Sequence, residues 1–334
     1  MKSISRLLLV YSSLILVLLL VSGCTTTVQT LYLQETKISG PINQSPIHLT
    51  DSSETPSVTI SPRFSFNTQK KLNGSLEGHS PVNANSIFQV DTSFFDDGTV
   101  KYTTTPGANV YSFDGENLTW DQSTFTAAID FDFALSKNFA LFAGINYSSQ
   151  KSGGLWGGNA GLGLFGSGKN IAFRFDAGVH IQTLKYDAYT VALVKTKTIF
   201  GGSDEYVLFY HDIDKSTNFD PFFNFTLNSS NKEWLLNFFI NAGYTVQTLF
   251  DLTPSTPDTR YYNFFLLFPT ETVITEDFRG ESAVGFFNFT PGIYFDVGEN
   301  SRILLGARFY LETQLESSNP KTFILPMLQA DFRL

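Results

Sequence analysis

Charged side chains are scarce in this chain, at 16% of 334 residues. Ten of them fall at alternate positions within otherwise apolar stretches: Arg63, Asp130, Asp132, Arg174, Asp176, Asp296, Arg308, Glu312, Asp331 and Arg333. Both signs occur, so the set can satisfy itself as ion pairs and hydrogen bonds inside a narrow polar interior, or it can line a selective pathway or a binding pocket. Candidates for bond-making chemistry are fewer. The histidines are His48, His79, His180 and His211. His211-Asp212, close in sequence to Asp204, Glu205 and Asp214, is the one cluster that could pair a base with carboxylates. An acidic, solvated outer loop accounts for it as well. No HExxH helix, serine elbow, metal-ligand spacing or phosphate-binding glycine loop accompanies it, so no cofactor or metal is expected. Gly153-Gly154, Gly157-Gly158, Gly161 and Gly163 read as small residues that allow close packing and curvature. A net charge of −9 lacks the basic footprint of a nucleic-acid binder.

The elements that would position these residues are strands. From Phe125 to Leu135 every odd position is apolar and the even ones are small or polar, and the pattern resumes at Phe139 and runs to Tyr147 after a break at Ser136-Lys137. Period two marks a strand with one greasy and one wet face, and each arm has about the ten residues that a tilted strand needs to cross a bilayer. The same alternation recurs in Val58 to Asn67, Trp156 to Gly166, Asn170 to Thr183, Phe219 to Asn228, Trp234 to Leu249, Ala283 to Val297, Ile303 to Leu315 and Thr322 to Leu334. Short connections alternate strictly with long or variable ones, which include Lys185 to Thr217 and Asp251 to Gly280. The stretches are nearly free of lysine, and Lys137, Lys169 and Lys232 sit in the short turns. A soluble barrel would spend lysines on its outer face. Trp156 and Trp234 fall at strand ends on the apolar face, where an interfacial girdle holds them. Pro62, Pro221, Pro291 and Pro326 lie within strands on the outward parity, which predicts bulges. Ile87 to Phe95 and Thr99 to Thr105 flank Asp97-Gly98, a hairpin signal. Counted as membrane strands they give twelve, and as a soluble hairpin in the first outer loop they leave ten.

The N-terminus has a basic start in Lys2 and Arg6, an apolar run from Leu7 to Leu20, and then Leu20-Val21-Ser22-Gly23-Cys24. This resembles the lipobox of bacterial lipoproteins. The resemblance implies that residues 1–23 are a signal peptide removed before Cys24, the chain's one cysteine, and that Cys24 is acylated. Residues 25–57, rich in Ser, Thr, Pro and Gln, read as a periplasmic linker after the lipidated cysteine. Residues 58–334, with 68–122 as a long outer loop, resemble a bacterial outer-membrane β-barrel: all-β, antiparallel, up-and-down, of about ten strands within a range of 8–12. The alternation of Ile324, Leu328, Ala330, Phe332 and Leu334 is similar to the terminal signal read by the barrel-assembly machinery. The resemblance implies a lipid-anchored protein of the outer membrane whose partners are outer-membrane lipid, its own acyl groups and that machinery. It serves as a structural or binding scaffold or a narrow solute pathway; a surface protease or lipid-modifying enzyme using His211 and the loop acids is the alternative.

Overall fold

The structure, a computed structural model, describes residues 24–50, 57–75, 88–94, 100–106, 118–150, 153–198, 203–229, 236–249, 259–265, 268–279, 283–315 and 321–334. Their regular elements are all strands. The first of the described elements is β1 (Cys24–Gly40), followed by β2 (Ser57–Phe66), β3 (Lys71–Gly74), β4 (Phe88–Phe94), β5 (Val100–Pro106) and β6 (Leu118–Gln122). A run of long strands follows: β7 (Phe125–Ala134), β8 (Phe139–Ser149), β9 (Leu155–Ser167), β10 (Ile171–Thr198), β11 (Ser203–Ser229) and β12 (Asn237–Thr248). Then come β13 (Thr259–Phe265), β14 (Phe268–Arg279), β15 (Ala283–Asp296), β16 (Ser301–Glu312) and β17 (Thr322–Arg333).

Ten of these close a ring in the order β2, β7, β8, β9, β10, β11, β12, β15, β16, β17, each antiparallel to its neighbours. The seam is β17 against β2, with Met327 opposite Ser65 and Phe332 opposite Ile60. β4 and β5 form a separate two-stranded sheet, so the Asp97-Gly98 hairpin stays out of the wall and the barrel has ten strands, not twelve. Closure leaves the ten-stranded ring without a free edge, which is what a strand protein needs in lipid.

Outside, the wall is apolar. Phe64, Ile145, Leu164, Phe173, Phe225 and Leu328 are all more than a third exposed and lie on strands spread round the ring. Soluble proteins rarely leave a contiguous apolar patch above a few hundred Å² uncovered, whereas a lipid-facing wall requires one. Trp156 stands 63% exposed on this face, edge-on to Tyr147 at 5.0 Å. Trp234 lies outside the described residues. At one end the strands are joined by tight turns, closed by Leu135 N–H to the Phe139 carbonyl (3.0 Å), Gly168 N–H to that of Ile171 (2.8 Å) and Val297 N–H to that of Ser301 (2.7 Å). Gly298, at φ 78°, supplies the left-handed residue for the last of these. The C-terminus is at this end too, where Leu334 N–H donates to the Val58 carbonyl at 2.8 Å.

The prolines do not make bulges. Across β15 and β16 the register holds from Phe289 opposite Phe309 to Gly292 opposite Gly306, skipping Pro291 and resuming in step. The β17–β2 seam likewise skips Pro62 and resumes in step. Pro221 and Pro326 each lie one residue before a ladder begins, at Phe222 and Met327. Each proline keeps pairing continuously on its other side, opposite Val179 or Ala307 for these two. Where a proline falls inside a ladder, two positions of that one ladder are skipped and the parity of the strand is unchanged.

Two connections differ from the loops expected. Asp251 to Gly280 contains β13 and β14, paired antiparallel with Thr259 opposite Ile274. Lys185 to Thr217 is no loop: β10 and β11 stay paired from Ile171 opposite Ser229 up to Lys197 opposite Ser203. β9 covers only the lower half of β10, ending at Gly157 opposite Gln182, and above it β1 takes its place, with Ser39 opposite Lys185 and Thr25 opposite Thr198. β1 also runs parallel to β6 and β14. Where this arm meets the barrel an apolar cluster that includes Ile38, Ile42, Trp120, Leu184, Phe286 and Tyr310 seals the long-loop end.

Candidate functional site: a polar lumen filled by the chain itself

Inside the ring the inward residues of the strands are buried and for the greater part polar, and a stretch of the chain itself lies among them. Residues 25–50 of the expected linker are not outside the barrel. Their first part is β1, and residues 41–50 run down the lumen outside any regular element, while residues 51–56 lie outside the described residues. The order of their partners shows the path. Asn43 donates through Nδ2 to Asp220 Oδ2 at 2.8 Å; Ser45 Oγ sits 3.2 Å from His180 Nε2; Thr50 exchanges two bonds with the Asn228 side chain, at 3.2 and 3.1 Å. Asp220 and His180 are paired with each other high in the β10–β11 ladder, and Asn228 lies near its foot, opposite Ala172.

A backbone taken out of water needs a partner for each carbonyl. The wall supplies partners for seven. Gln247 donates to the Pro41 carbonyl at 2.9 Å and Tyr310 to that of Asn43 at 2.9 Å. Arg63 donates to the carbonyls of Ser45 at 2.6 Å and Gln44 at 3.1 Å. Asn224 reaches Pro46 (3.4 Å), Gln329 reaches Ile47 (2.8 Å) and Asn228 reaches Thr50. Pro41 and Pro46 have no N–H to satisfy, which suits a segment held mainly by its acceptors. Ile47 packs with Phe239, Tyr294, Leu304 and Met327 into a small apolar cluster, with Leu49 beside it.

The charged residues divide among three places. Near the short-turn end Arg174, 2% exposed, holds two carboxylates at once: Nη1 and Nη2 donate to the two oxygens of Asp132 at 2.7 and 2.8 Å, and Nε donates to Asp176 at 2.7 Å. The other oxygen of Asp176 is 3.4 Å from His48 Nδ1, so the segment joins this triad. Half-way up, Arg63 lies 3.4 Å from Asp130, which accepts from Asn159 at 2.9 Å. Arg308 donates to Thr290 (3.2 Å) and Tyr310 (3.3 Å), and its Nη2 has no hydrogen-bond partner among the described residues. Glu312 stands apart from Arg63, Asp130, Asp132, Arg174, Asp176 and Arg308 at the long-loop end, where it accepts from the Gln314 and Leu315 N–H groups as the chain leaves β16. Asp296 pairs with Arg302 at 3.3 Å. They share a cavity of about 70 Å³ at the short-turn mouth with Asp331, Arg333, Arg174 and Asp132. Two glycines make room for the network. A side chain at Gly163 would fall on Arg174 and Asp176, and one at Gly144 on Asp130.

The acidic cluster around His211 is not gathered into one loop. Residues 204 to 214 belong to a single strand, β11, so seven residues at about 3.3 Å each put some 23 Å of backbone between Asp204 and His211. Among the described residues no group of His, Cys, Asp and Glu could hold a metal ion.

Reading from sequence missed residues 41–50 altogether.

No family model matches the chain, and neither does any curated protein. Among solved structures it is similar to an outer membrane channel from Pseudomonas putida F1, at 7% identity over 87% of this chain and 100% of that one, with a TM-score of 0.37. It is similar also to the translocator domain of the autotransporter NalP from Neisseria meningitidis, at 10% identity over 85% and 90%, TM-score 0.30. A third is the CymD monoaromatic hydrocarbon channel, at 7% identity over 84% and 89%, TM-score 0.27. Likeness at this level carries nothing about what the present chain binds or passes.

Proposed function

We propose that this protein is an integral barrel of the bacterial outer membrane, lipid-anchored through Cys24, that serves as a membrane-embedded scaffold with a closed lumen and not as a standing solute pathway. The observation that carries the reading is the wall's grip on the backbone of residues 41–50, seven carbonyls of which are held by lumen side chains. A ten-stranded ring has a lumen between a packed core and an open channel. One extended segment with the inward side chains is enough to fill it, and the apolar cluster above adds a second seal. The lipid-facing belt supports the membrane location, and the Leu-Val-Ser-Gly-Cys run supports the lipid.

Purified protein reconstituted in a planar bilayer is expected to give no steady single-channel current. Reproducible current from the unaltered chain would overturn the closed-lumen reading. For the anchor, Cys24→Ser is expected to abolish incorporation of labelled fatty acid and leave the precursor uncleaved; label that persists in the variant would count against acylation at this residue.

A further inference from the structure

We infer that the chain passes through its own barrel, so that its N-terminal strand and Cys24 stand on the long-loop, cell-surface face while the C-terminus stays on the periplasmic face. The inference rests on the outer-membrane reading above and goes beyond it by assigning a side of the membrane to each terminus.

The two ends of the segment are fixed independently. Ser57 is opposite Ala134, beside the β7–β8 turn, and Val58 holds the C-terminal Leu334; both are at the short-turn end. Gly40 is at the other end, where its carbonyl accepts from Trp120 Nε1 at 3.0 Å and its Cα lies against Leu184. Between them, residues 41–50 meet partners in descending order along β10 and β11. Ten residues can span at most roughly 33–36 Å, which is enough to cross the height of about 25 Å of a barrel's apolar band. Beyond Gly40 the chain does not turn back. β1 continues along the β10–β11 arm to Thr25 opposite Thr198, and it lies parallel to β6 and β14, both of which belong to long-loop connections. Barrels of this kind keep their short turns in the periplasm and their long loops outside. The β17–β2 seam must then close around a segment already in place.

Three single substitutions at exposed lysines, each read by a membrane-impermeant maleimide on intact cells and again after the outer membrane is permeabilised, test this. Lys215→Cys marks the long-loop side on β11, Lys137→Cys marks the β7–β8 turn, and Lys37→Cys marks β1. The unaltered chain, its Cys24 thiol acylated, is the blank. Lys37→Cys is expected to behave as Lys215→Cys does, labelling fully in intact cells, while Lys137→Cys labels only after permeabilisation. If Lys37→Cys instead follows Lys137→Cys while Lys215→Cys labels in intact cells, the threading is wrong and the outer-membrane reading survives. Identical behaviour of Lys215→Cys and Lys137→Cys would remove the outer-membrane reading and the threading with it.

Discussion

Arg174→Ala lowers the temperature at which the folded barrel converts to the slower, heat-denatured band on a gel by more than any other single change in the lumen. The guanidinium makes three charge-assisted bonds to two carboxylates, Asp132 and Asp176. Removing it leaves two negative charges facing each other where neither is more than a tenth exposed. Deleting one partner of a buried ion pair typically costs about 3–5 kcal/mol, because the other is left without compensation. Arg174→Lys recovers only part of the loss, since an ammonium cannot form the two-pronged contact with Asp132. Most of the cost belongs to the orphaned carboxylates, so changing Arg174→Met, Asp132→Asn and Asp176→Asn together is expected to be milder than Arg174→Ala alone. A single variant that converts at the same temperature as the parent, or a triple variant worse than the single, would contradict this account.

The ten wall strands were legible because lipid imposes a strict demand: every second residue faces hydrocarbon, and the sequence can satisfy that only with period two. Legibility fails where that demand ends. In the lower part of β10 the odd residues Phe173, Phe175, Val179 and Ile181 face lipid and the even ones are polar or small: Arg174, Asp176, His180 and Gln182 with Ala172 and Gly178. Above Thr183 the pattern inverts: Leu184, Tyr186 and Ala188 are buried in the apolar seal, with Lys185 and Asp187 between them less buried. The strand goes on, but it has left the membrane, so its outside is now wet and its inside dry. An alternation that changes sign looks in sequence like a strand that has stopped.

The lumen was legible in composition and not in arrangement. Arg63, Asp130, Asp132, Arg174, Asp176 and Arg308 all carry the inward parity, but parity fixes a face and says nothing of height within the barrel. Glu312 shares the face and caps a turn instead. The threaded segment had no such cue. Its partners, Gln247, Tyr310 and Gln329, stand some two hundred residues or more away in the chain, and its own backbone, which does most of the bonding, is the same for any sequence.

Removing residues 25–50, with the signal peptide and Cys24 retained so that processing is preserved, should turn a silent barrel into a conducting one. The ring does not need the segment for its ladders: all ten wall strands pair with one another, and β1 adds to the arm above the ring without replacing a rung within it. The side chains that now hold residues 41–50 are Arg63, Gln247, Asn224, Asn228, Gln329 and Tyr310, all able to bond water once the lumen is wet. What is lost is β1 with its ladders to β10, β6 and β14, Ile38 and Ile42 of the apolar seal, the Ile47 cluster and the contact of His48 with Asp176, so the variant should still show heat-modifiable migration, at a lower conversion temperature. Step-like current in a planar bilayer is expected from this variant and not from the parent. A synthetic peptide of residues 41–50 added to the bath should suppress it, because recognition lies mostly in backbone carbonyls that a free peptide also presents. If the shortened barrel folds and stays silent, the wall side chains alone close the lumen and the segment is not the seal. If it conducts but the peptide has no effect, the hold on residues 41–50 depends on their covalent tether, with β1 fixed above and β2 below.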